Sequence, residues 1–481
     1  MKTLFLNPPS FPGYDGGAGS RFQARREVRS FWYPTWLAQA AALVEDSRVV
    51  DAPADDLSPC EVARIAAQFG LIVIYTSTGS FANDSAAAQM IRNSNPDALI
   101  AFVGPHVTVL PDESLRQTRS VDFIVRKEFE LPVQRIARGE RFWEVEGVSW
   151  RDGESMRHNS DPPLITDLDS LPYVVDVYRR DLTIENYYNG YVQHPYLSFY
   201  AGRGCPARCT FCLWPQTISS HEYRVRSPQS VCDELARAKE YFPQVKEYFI
   251  DDDTFTANAE RAVSVARLIS RLGITWSTSS RVNASYQTLK ALKESGLRLL
   301  LVGFESGNDA ILHNVRKGTD TSTARRFMRD CRALGILVHG AFMLGLPGET
   351  KETIRQSIDF AREIAPDTIQ VSVATPYPGT ELYRQAIDNG WMSEAGLVST
   401  DGVQACALSY NGLSSQEILD SIDTFYKRFY FRPRVLFAIG RQMLADPKVL
   451  RRRLREGREF ISFLRRDDSR EQESSRKRRD R

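Results

Sequence analysis

Three cysteines fall within eight consecutive positions of this 481-residue chain, and they limit its fold and chemistry more than any other feature. Residues 202–212 read GRGCPARCTFC, a Cys-x3-Cys-x2-Cys spacing formed by Cys205, Cys209 and Cys212 directly after an apolar run. Three thiolates on one loop can each ligate one iron of a 4Fe-4S cube, because soft sulfur ligands suit iron–sulfur clusters. The fourth iron would have no protein ligand, so it would be open to a small molecule.

A zinc loop with a distant fourth ligand is the alternative for these cysteines. Zinc sites usually pair two C-x2-C or Cys/His halves, and this sequence contains no second half. Cys60, Cys232, Cys331 and Cys406 stand alone, as small buried hydrophobic cysteines typically do. The cysteine pattern therefore favours an iron–sulfur cluster over a zinc site. It also favours reduced thiols in a cytoplasmic protein over a set of disulfide bonds distributed along the chain.

The first part of the chain alternates short β-type runs with helical stretches at a spacing of roughly 25 residues, which predicts βα units and a doubly wound parallel sheet over residues 1–140. Polar loops follow these strands, and ligands bind open α/β sheets at the carboxyl ends of the strands. No G-x-G-x-x-G follows the first strand, so a dinucleotide is not favoured. The predicted strands are 3–6, 48–50, 71–75, 98–103 and 123–125.

Residues 141–190 are rich in Asp, Pro and Gly, which predicts a connector with a small hairpin. The βα alternation then resumes, and six units over residues 191–410 predict a partial (β/α)6 barrel of the TIM type, with its chemistry at the carboxyl ends of the strands. The predicted strands are 197–201, 247–250, 275–277, 298–304, 338–344 and 368–374.

Residues 411–481 are predicted to be helical with a basic tail. Ser414 and Glu417 form a capping box before an apolar helical face that would pack on the barrel. The chain carries a net charge of +2, whereas residues 451–481 hold 13 basic and 7 acidic side chains. Basic helices at 434–444 and 449–464 would suit either peripheral contact with the inner face of a membrane or plain solvation. We expect neither a secretory signal nor a transmembrane helix.

The cysteine spacing, the aromatic Phe211 before the third cysteine and the six βα units resemble the radical S-adenosylmethionine superfamily. In that family S-adenosylmethionine chelates the open iron, and one electron from the cluster splits it to a 5′-deoxyadenosyl radical that takes hydrogen from a substrate. The resemblance implies an enzyme with a 4Fe-4S cluster on Cys205, Cys209 and Cys212. It also implies S-adenosylmethionine as cosubstrate and an electron donor such as a flavodoxin or ferredoxin.

The ends of the later predicted strands match the family in order, and the resemblance implies their roles. Asp252 or Asp253 would receive the methionine amino group, although the Gly-Gly-Glu that is frequent in the family is absent. Glu305 would meet the ribose hydroxyls or the methionine moiety. The remaining implied contacts are Arg281, Arg316 and Lys317 for the methionine carboxylate, and the backbone around Gly345 for adenine.

The N-terminal half resembles the cobalamin-binding domain of one branch of this family, through segments at 7–9, 104–106 and 126–130, so that the resemblance covers about residues 1–410. Branch members that ligate cobalt through histidine carry Asp-x-His-x-x-Gly, whereas residues 51–56 contain no histidine. His106 lies in a loop on the ligand side, where it would be either a cofactor contact or a hydrogen-bonding residue. The resemblance implies cobalamin, with a substrate platform as the alternative role of this domain.

The opening also resembles the hopanoid-biosynthesis radical proteins, through segments at 7–11, 15–21 and 31–37. That resemblance implies a lipid-linked sugar substrate: the glucosamine ring of a hopanoid polyol glycoside would contract to a cyclitol ether. The aromatic segment 31–36 would suit sugar or terpenoid faces, or alternatively would pack at the start of a helix.

Three other functions stay open at this stage. The first is a cobalamin-dependent radical methyltransferase that acts on an unactivated carbon of a lipid or natural product. The second is a non-catalytic cluster or metal sensor. The third, nucleic-acid modification, is disfavoured because the basic residues are confined to the tail and no separate RNA-binding domain is evident.

Overall fold

The computed structural model describes residues 1–11, 14, 30–393, 396–397 and 405–432. These residues form two largely parallel sheets with flanking helices, followed by a C-terminal helix, so the predicted α/β class is confirmed. The segment 15–21 and the basic helices predicted at 434–444 and 449–464 lie outside the described residues, and the membrane contact therefore stays a prediction. In the described part of the chain, no helix is long and apolar enough to cross a lipid bilayer.

The first sheet has seven strands in the order β2-β1-β3-β4-β5-β6-β7. The five predicted strands all form, and β1 to β5 pair in parallel. The sheet is mixed at one edge, because the hairpin of the predicted connector pairs antiparallel with β5 and extends the sheet beyond residue 140. The strands are β1 (Thr3–Asn7), β2 (Ser47–Asp51), β3 (Leu71–Tyr75), β4 (Leu99–Val103), β5 (Phe123–Val125), β6 (Val148–Asp152) and β7 (Ser155–His158).

Helices cross between the parallel strands and cover the sheet, as parallel connections require. In this first part of the chain, one described helix begins with a side-chain cap, where Ser58 and Glu61 form a capping box. The helices are α1 (Thr35–Ala42), α2 (Pro59–Ala66), α3 (Phe81–Ser94), α4 (Pro105–Val109), α5 (Pro111–Gln117), α6 (Glu130–Ala137) and, in the connector, α7 (Val174–Asp181).

The second sheet is an open half-barrel of six parallel strands in the order β15-β14-β13-β12-β11-β8, which confirms the predicted partial barrel. A separate two-stranded ribbon, β9 with β10, flanks the cysteine segment. The strands are β8 (Tyr196–Phe199), β9 (Gly202–Arg203), β10 (Arg224–Val225), β11 (Glu247–Ile250), β12 (Trp276–Ser280), β13 (Leu297–Glu305), β14 (Leu337–Leu344) and β15 (Thr368–Val373).

Eight successive helices from α9 onward each begin after a Ser, Thr, Asn or Asp whose side chain accepts a backbone N–H of the first turn. The helices are α8 (Leu213–Thr217), α9 (Pro228–Tyr241), α10 (Ala259–Ile269), α11 (Tyr286–Glu294), α12 (Asp309–Asn314), α13 (Thr321–Leu334), α14 (Lys351–Ile364), α15 (Glu381–Asp388) and α16 (Ser415–Tyr430).

Helix α16 covers the open edge of the barrel at β15. Its predicted capping box between Ser414 and Glu417 forms, and its apolar face is buried. The hydroxyl of Tyr426 accepts the backbone N–H of Val371 at 2.8 Å, so a buried edge amide of β15 is satisfied by a side chain. The predicted packing of this helix on the barrel is therefore confirmed.

The two sheets share one hydrophobic core. The segment 31–36 lies at their junction, where Tyr33 is buried and stacks on Tyr187 with ring centroids 4.2 Å apart. Its hydroxyl donates to the carbonyl of Tyr196 at the start of β8, at 2.7 Å. This ring packs between the sheets, as the helix-start alternative expected, and a role of the segment in binding a sugar or terpenoid stays a prediction.

Candidate active site

The cysteine segment leaves the carboxyl end of the first barrel strand and ends in α8. Cys205 and Cys209 are buried, and Cys212 is half-buried at the start of α8. The side-chain amide of Gln216 donates to the carbonyl of Cys212 at 2.7 Å and to the carbonyls of Thr210 and Cys209 at 3.2 and 3.3 Å. One side chain on the following helix thus holds the cysteine loop in shape, and no sequence signal identified it.

The donor set fits an iron–sulfur cluster. Burial raises the pKa values of the Cys205 and Cys212 thiols, so these thiols need a nearby positive charge to ionise. Iron bound by these cysteines would supply that charge, and the coordinating thiols would then be deprotonated. In the described ranges, no group of three or more His, Cys, Asp or Glu side chains, the three cysteines included, is arranged to hold a metal ion.

Three of the predicted residues meet beside the cysteine loop. Nη1 of Arg281, after β12, lies 3.9 Å from the Cys209 sulfur, and Nη2 donates to the carbonyl of Lys317. The Lys317 ammonium donates to Glu305, at the end of β13, at 2.7 Å. Glu305 and Lys317 are both buried, and Glu305 adopts φ 63°, a conformation that non-glycine residues rarely take. Two strand ends and the loop after α12 thus bring two cations and a carboxylate together at the carboxyl end of the barrel, which we call the mouth.

The two aspartates after β11 take different positions. Asp252 is buried, and its Oδ1 accepts the N–H groups of Ala201 and Gly202 at 2.7 and 2.8 Å, so it supports the strand below the loop. Asp253 is exposed in the mouth, and its Oδ2 accepts the N–H of Gly204 at 3.2 Å. Of the two, the structure leaves Asp253 accessible to a ligand.

Two further predicted residues, Arg316 and Gly345, have other partners. Arg316 is exposed and pairs with Glu381 at 3.2 Å. Gly345, after β14, donates its N–H to the buried carboxyl of Glu349 at 2.6 Å. Burial raises the pKa of Glu349 to about 8. The sequence predicted no role for Glu349, although its place four residues after Gly345 was a usable signal.

His106 lies at the carboxyl edge of the N-terminal sheet. It is buried against Phe81, with ring centroids 4.4 Å apart, and its Nδ1 lies 3.2 Å from the Thr78 hydroxyl. Burial lowers its pKa to about 4, which keeps the ring neutral. His106 is thus packed and hydrogen-bonded in this structure, and its role as a cofactor contact stays a prediction.

The N-terminal edge lies against the cysteine loop. Helix α4, which carries His106, packs on α8, the helix that begins after Cys212. A side chain on Gly379 would meet Val109 of α4 at 2.6 Å and Thr217 of α8 at 3.1 Å, so the backbone after β15 closes tightly over the two helices. The carboxyl ends of both sheets therefore converge on the cysteine segment.

The comparisons with known proteins agree with this architecture. A family model described as the radical SAM superfamily matches residues 199–361. A protein of Pyrococcus horikoshii, named as an uncharacterized methyltransferase, is 30% identical over 457 residues, covering 91% of this chain and 94% of that protein. The anaerobic magnesium-protoporphyrin IX monomethyl ester cyclase of Cereibacter sphaeroides is 25% identical, covering 90% of this chain and 71% of the cyclase.

Among solved structures, the chain is similar in fold to the radical S-adenosylmethionine methyltransferase TsrM of Kitasatospora setae, which was solved with cobalamin and a [4Fe-4S] cluster bound. The TM-score is 0.64 at 16% identity, covering 90% of this chain and 82% of TsrM. None of these three proteins is named for a hopanoid, so the resemblance to hopanoid-biosynthesis proteins gains no support from them.

Proposed function

This chain belongs to the radical S-adenosylmethionine superfamily, an enzyme class that uses a 4Fe-4S cluster and S-adenosylmethionine, and on that premise we propose that it is a cobalamin-dependent methyltransferase acting on an unactivated carbon. The observation that carries the proposal is the contact between α4 and α8, because it brings the ligand edge of an open α/β sheet against the cysteine loop. A ligand at that edge would lie beside the group held by Cys205, Cys209 and Cys212.

Different residues would bind the cluster and S-adenosylmethionine. Cys205, Cys209 and Cys212 would hold the cluster. Arg281 and Lys317 would bind the methionine carboxylate, and Asp253 would bind its ammonium group. When bound, the cluster supplies the electron that splits S-adenosylmethionine to a 5′-deoxyadenosyl radical, and cobalamin supplies a methyl carrier.

Arg281 contributes in a second way. Its guanidinium lies 3.9 Å from the Cys209 sulfur, so it offsets negative charge on the thiolates. Arg281 donates a hydrogen bond to the backbone carbonyl of Lys317, and the buried ion pair between Lys317 and Glu305 holds that carbonyl in place. The pair and the arginine would together position the ligand and keep water away from it.

Cobalamin would bind at the edge formed by the ends of β1, β3, β4 and β5. A side chain on Gly104 would collide with the carbonyl of Thr76 at 2.3 Å, so the backbones after β3 and β4 approach closely there. His106 is buried beside this contact, within hydrogen-bond distance of Thr78. The loops of this edge would therefore hold the cofactor, with no cobalt ligand expected from His106.

Methyl transfer is favoured over contraction of a hopanoid sugar ring because a relative that is 30% identical over 91% of this chain is named as a methyltransferase. The substrate would be a lipid or another natural product with an unactivated carbon. A flavodoxin or ferredoxin would deliver the electron to the cluster.

The test uses the full chain, reconstituted anaerobically with iron and sulfide and incubated with hydroxocobalamin, a reductant and S-adenosylmethionine. We expect cobalamin to stay with the protein through gel filtration, and both 5′-deoxyadenosine and cobalamin-dependent S-adenosylhomocysteine to form. Formation of 5′-deoxyadenosine alone, with no retained cobalamin, would overturn methyl transfer while leaving the radical activity in place.

A further inference from the structure

The cysteine loop is closed at its base by the ribbon of β9 and β10, which we call the neck. β9 ends two residues before Cys205, and the N–H of Cys205 donates across the neck to the carbonyl of Ser220 at 3.3 Å. Gly204 has φ 84°, and a side chain there would meet the carbonyl of Glu222 at 2.1 Å. The start and the end of the loop are therefore held together at the neck.

The barrel holds the backbone of the neck. Asp252 accepts the N–H of Gly202, and Asp253 accepts the N–H of Gly204. The two arginine side chains of the neck, Arg203 and Arg224, are direct partners across the antiparallel ribbon, so they project from the same face. That face is turned toward the N-terminal sheet.

Two glutamates that follow β5 meet these arginines. Glu128 accepts from Arg224 at 2.6 and 2.9 Å and lies 3.4 Å from Nη1 of Arg203. Glu130 accepts from Nη2 of Arg203. All four side chains are buried, with exposures of 1% and 0% for the glutamates and 4% and 5% for the arginines. Two positive and two negative charges thus balance inside the interface, which we call the neck bridge.

A third contact ties Arg203 to the N-terminal part of the chain. Its guanidinium carbon lies 4.6 Å from the ring centroid of Trp36 in α1, a cation–π arrangement. Arg203 therefore contacts two carboxylates and one aromatic ring, and all three belong to the N-terminal part of the chain. A planar guanidinium with several donors can serve such a site, whereas an ammonium can keep the charge but not the geometry.

We propose that Arg203 is a positioning residue for the iron–sulfur cluster, and that the neck bridge transmits the position of the N-terminal sheet to the cysteine loop. The proposal rests on the assignment of the cluster to Cys205, Cys209 and Cys212. The β5 loop belongs to the same edge at which cobalamin was placed above. A ligand that shifts this loop therefore shifts Glu128 and Glu130, and with them the neck.

The test compares full-length Arg203→Lys and Glu130→Gln proteins with the wild type after anaerobic reconstitution. The readouts are iron per chain, the electron paramagnetic resonance spectrum of the reduced cluster, and its midpoint potential. We expect both variants to bind iron, with an altered spectrum and a higher potential, because a loosened neck admits water that stabilises the more negatively charged reduced state. Arg135→Lys, in a half-buried pair with Glu140 of the same N-terminal region, should match the wild type.

Glu130→Gln keeps the shape of the side chain, so it remains informative if Arg203→Lys does not fold. Wild-type spectra and potentials in folded variants of the bridge, even with a lowered unfolding temperature, would overturn the proposal by showing a purely structural role. A Cys205→Ala protein run in parallel separates the two assignments. If Cys205→Ala kept a normal cluster, the assignment of the cluster to the three cysteines would be wrong. If it lost the cluster, that assignment would stand, and the spectra and potentials of the bridge variants would decide whether Arg203 positions the cluster.

Discussion

The barrel and the N-terminal sheet treat the carboxyl ends of their strands differently. At the barrel mouth, Arg281 after β12, Glu305 at the end of β13 and Lys317 after α12 meet beside the cysteine loop. At the N-terminal edge, Asp84 and His106 are turned inward, with exposures of 1% and 7%. The barrel mouth thus gathers ion-paired charges beside the cysteine loop, whereas burial at the N-terminal edge shifts the pKa values of Asp84 and His106 toward their neutral forms. This difference fits the proposed function, in which the barrel cysteines would hold the cluster and the edge of the N-terminal sheet would bind cobalamin.

The helices show the same contrast. Each helix from α9 to α16 starts with a side-chain cap, whereas among the described helices α1 to α7 only α2 has one. Local sequence therefore determines where the barrel helices begin. Packing on the sheet determines the others, since amphipathic burial rather than propensity supplies most helix stability in proteins.

The strongest test of the contrast removes one thiol from the barrel mouth. Cys209→Ala should abolish the cluster absorbance and all formation of 5′-deoxyadenosine, because three cysteines are needed to hold the cube. Cys331→Ala, at a buried cysteine of α13, is the matched control and should retain both. Anaerobic reconstitution followed by iron analysis and chromatography gives the answer, and a cluster retained in Cys209→Ala would contradict the assignment.

The next largest effect concerns the buried pair in the mouth. Glu305→Gln leaves the Lys317 ammonium without its partner, so the free energy of unfolding should fall by about 3–5 kcal/mol in the absence of ligand. Denaturant titration measures it. The double variant Glu305→Gln/Lys317→Met should recover much of the loss, because no unpaired charge remains buried. A single variant as stable as the wild type would show that the pair is solvated.

The third prediction concerns how the free energy of unfolding depends on pH through Asp84, the buried carboxyl at the N-terminal edge. Burial raises the pKa of Asp84 from 3.8 to about 7, so the folded protein binds a proton there that the unfolded chain releases. This contribution is full below pH 3.8 and is lost as the pH rises through about 7. Between these values the free energy of unfolding should fall by at most about 1.4 kcal/mol per pH unit.

Asp84→Asn should flatten that part of the stability profile, measured by denaturant titration from pH 5 to pH 8. Glu349→Gln at the barrel mouth is the comparison, and it should remove a slope that extends higher, because the pKa of Glu349 lies at about 8. An Asp84→Asn profile parallel to that of the wild type would mean that this carboxyl is ionised in the folded protein.

The smallest expected effect sharpens the contrast in helix starts. Ser414→Ala removes the capping box of α16 and should lower the free energy of unfolding by about 1 kcal/mol. Ser415→Ala, one residue later and without a capping role, should change it by less than about 0.5 kcal/mol. Equal losses in the two variants, measured by thermal unfolding, would show that packing on β15 alone positions this helix.

All eleven predicted strands of the two sheets form, because short apolar runs bounded by turn residues are local signals. The antiparallel pairing of β6 with β5 was not predicted, because pairing between strands depends on which edge is free once the sheet has assembled. The positions of Gln216 and of the neck bridge were also missed, since each side chain meets partners from other elements of the fold.

The sequence by itself determined the three-cysteine loop, the βα segmentation and the capped barrel helices, because each is set by residues within a few positions of one another. The tertiary structure alone decided that Arg281 reaches Cys209, that Asp252 lies below the loop while Asp253 stays accessible, and that His106 is packed inward. It also joined the neck to the N-terminal sheet through four buried charges. The physical reason is that burial and ion pairing depend on distances across the fold, which local spacing does not specify.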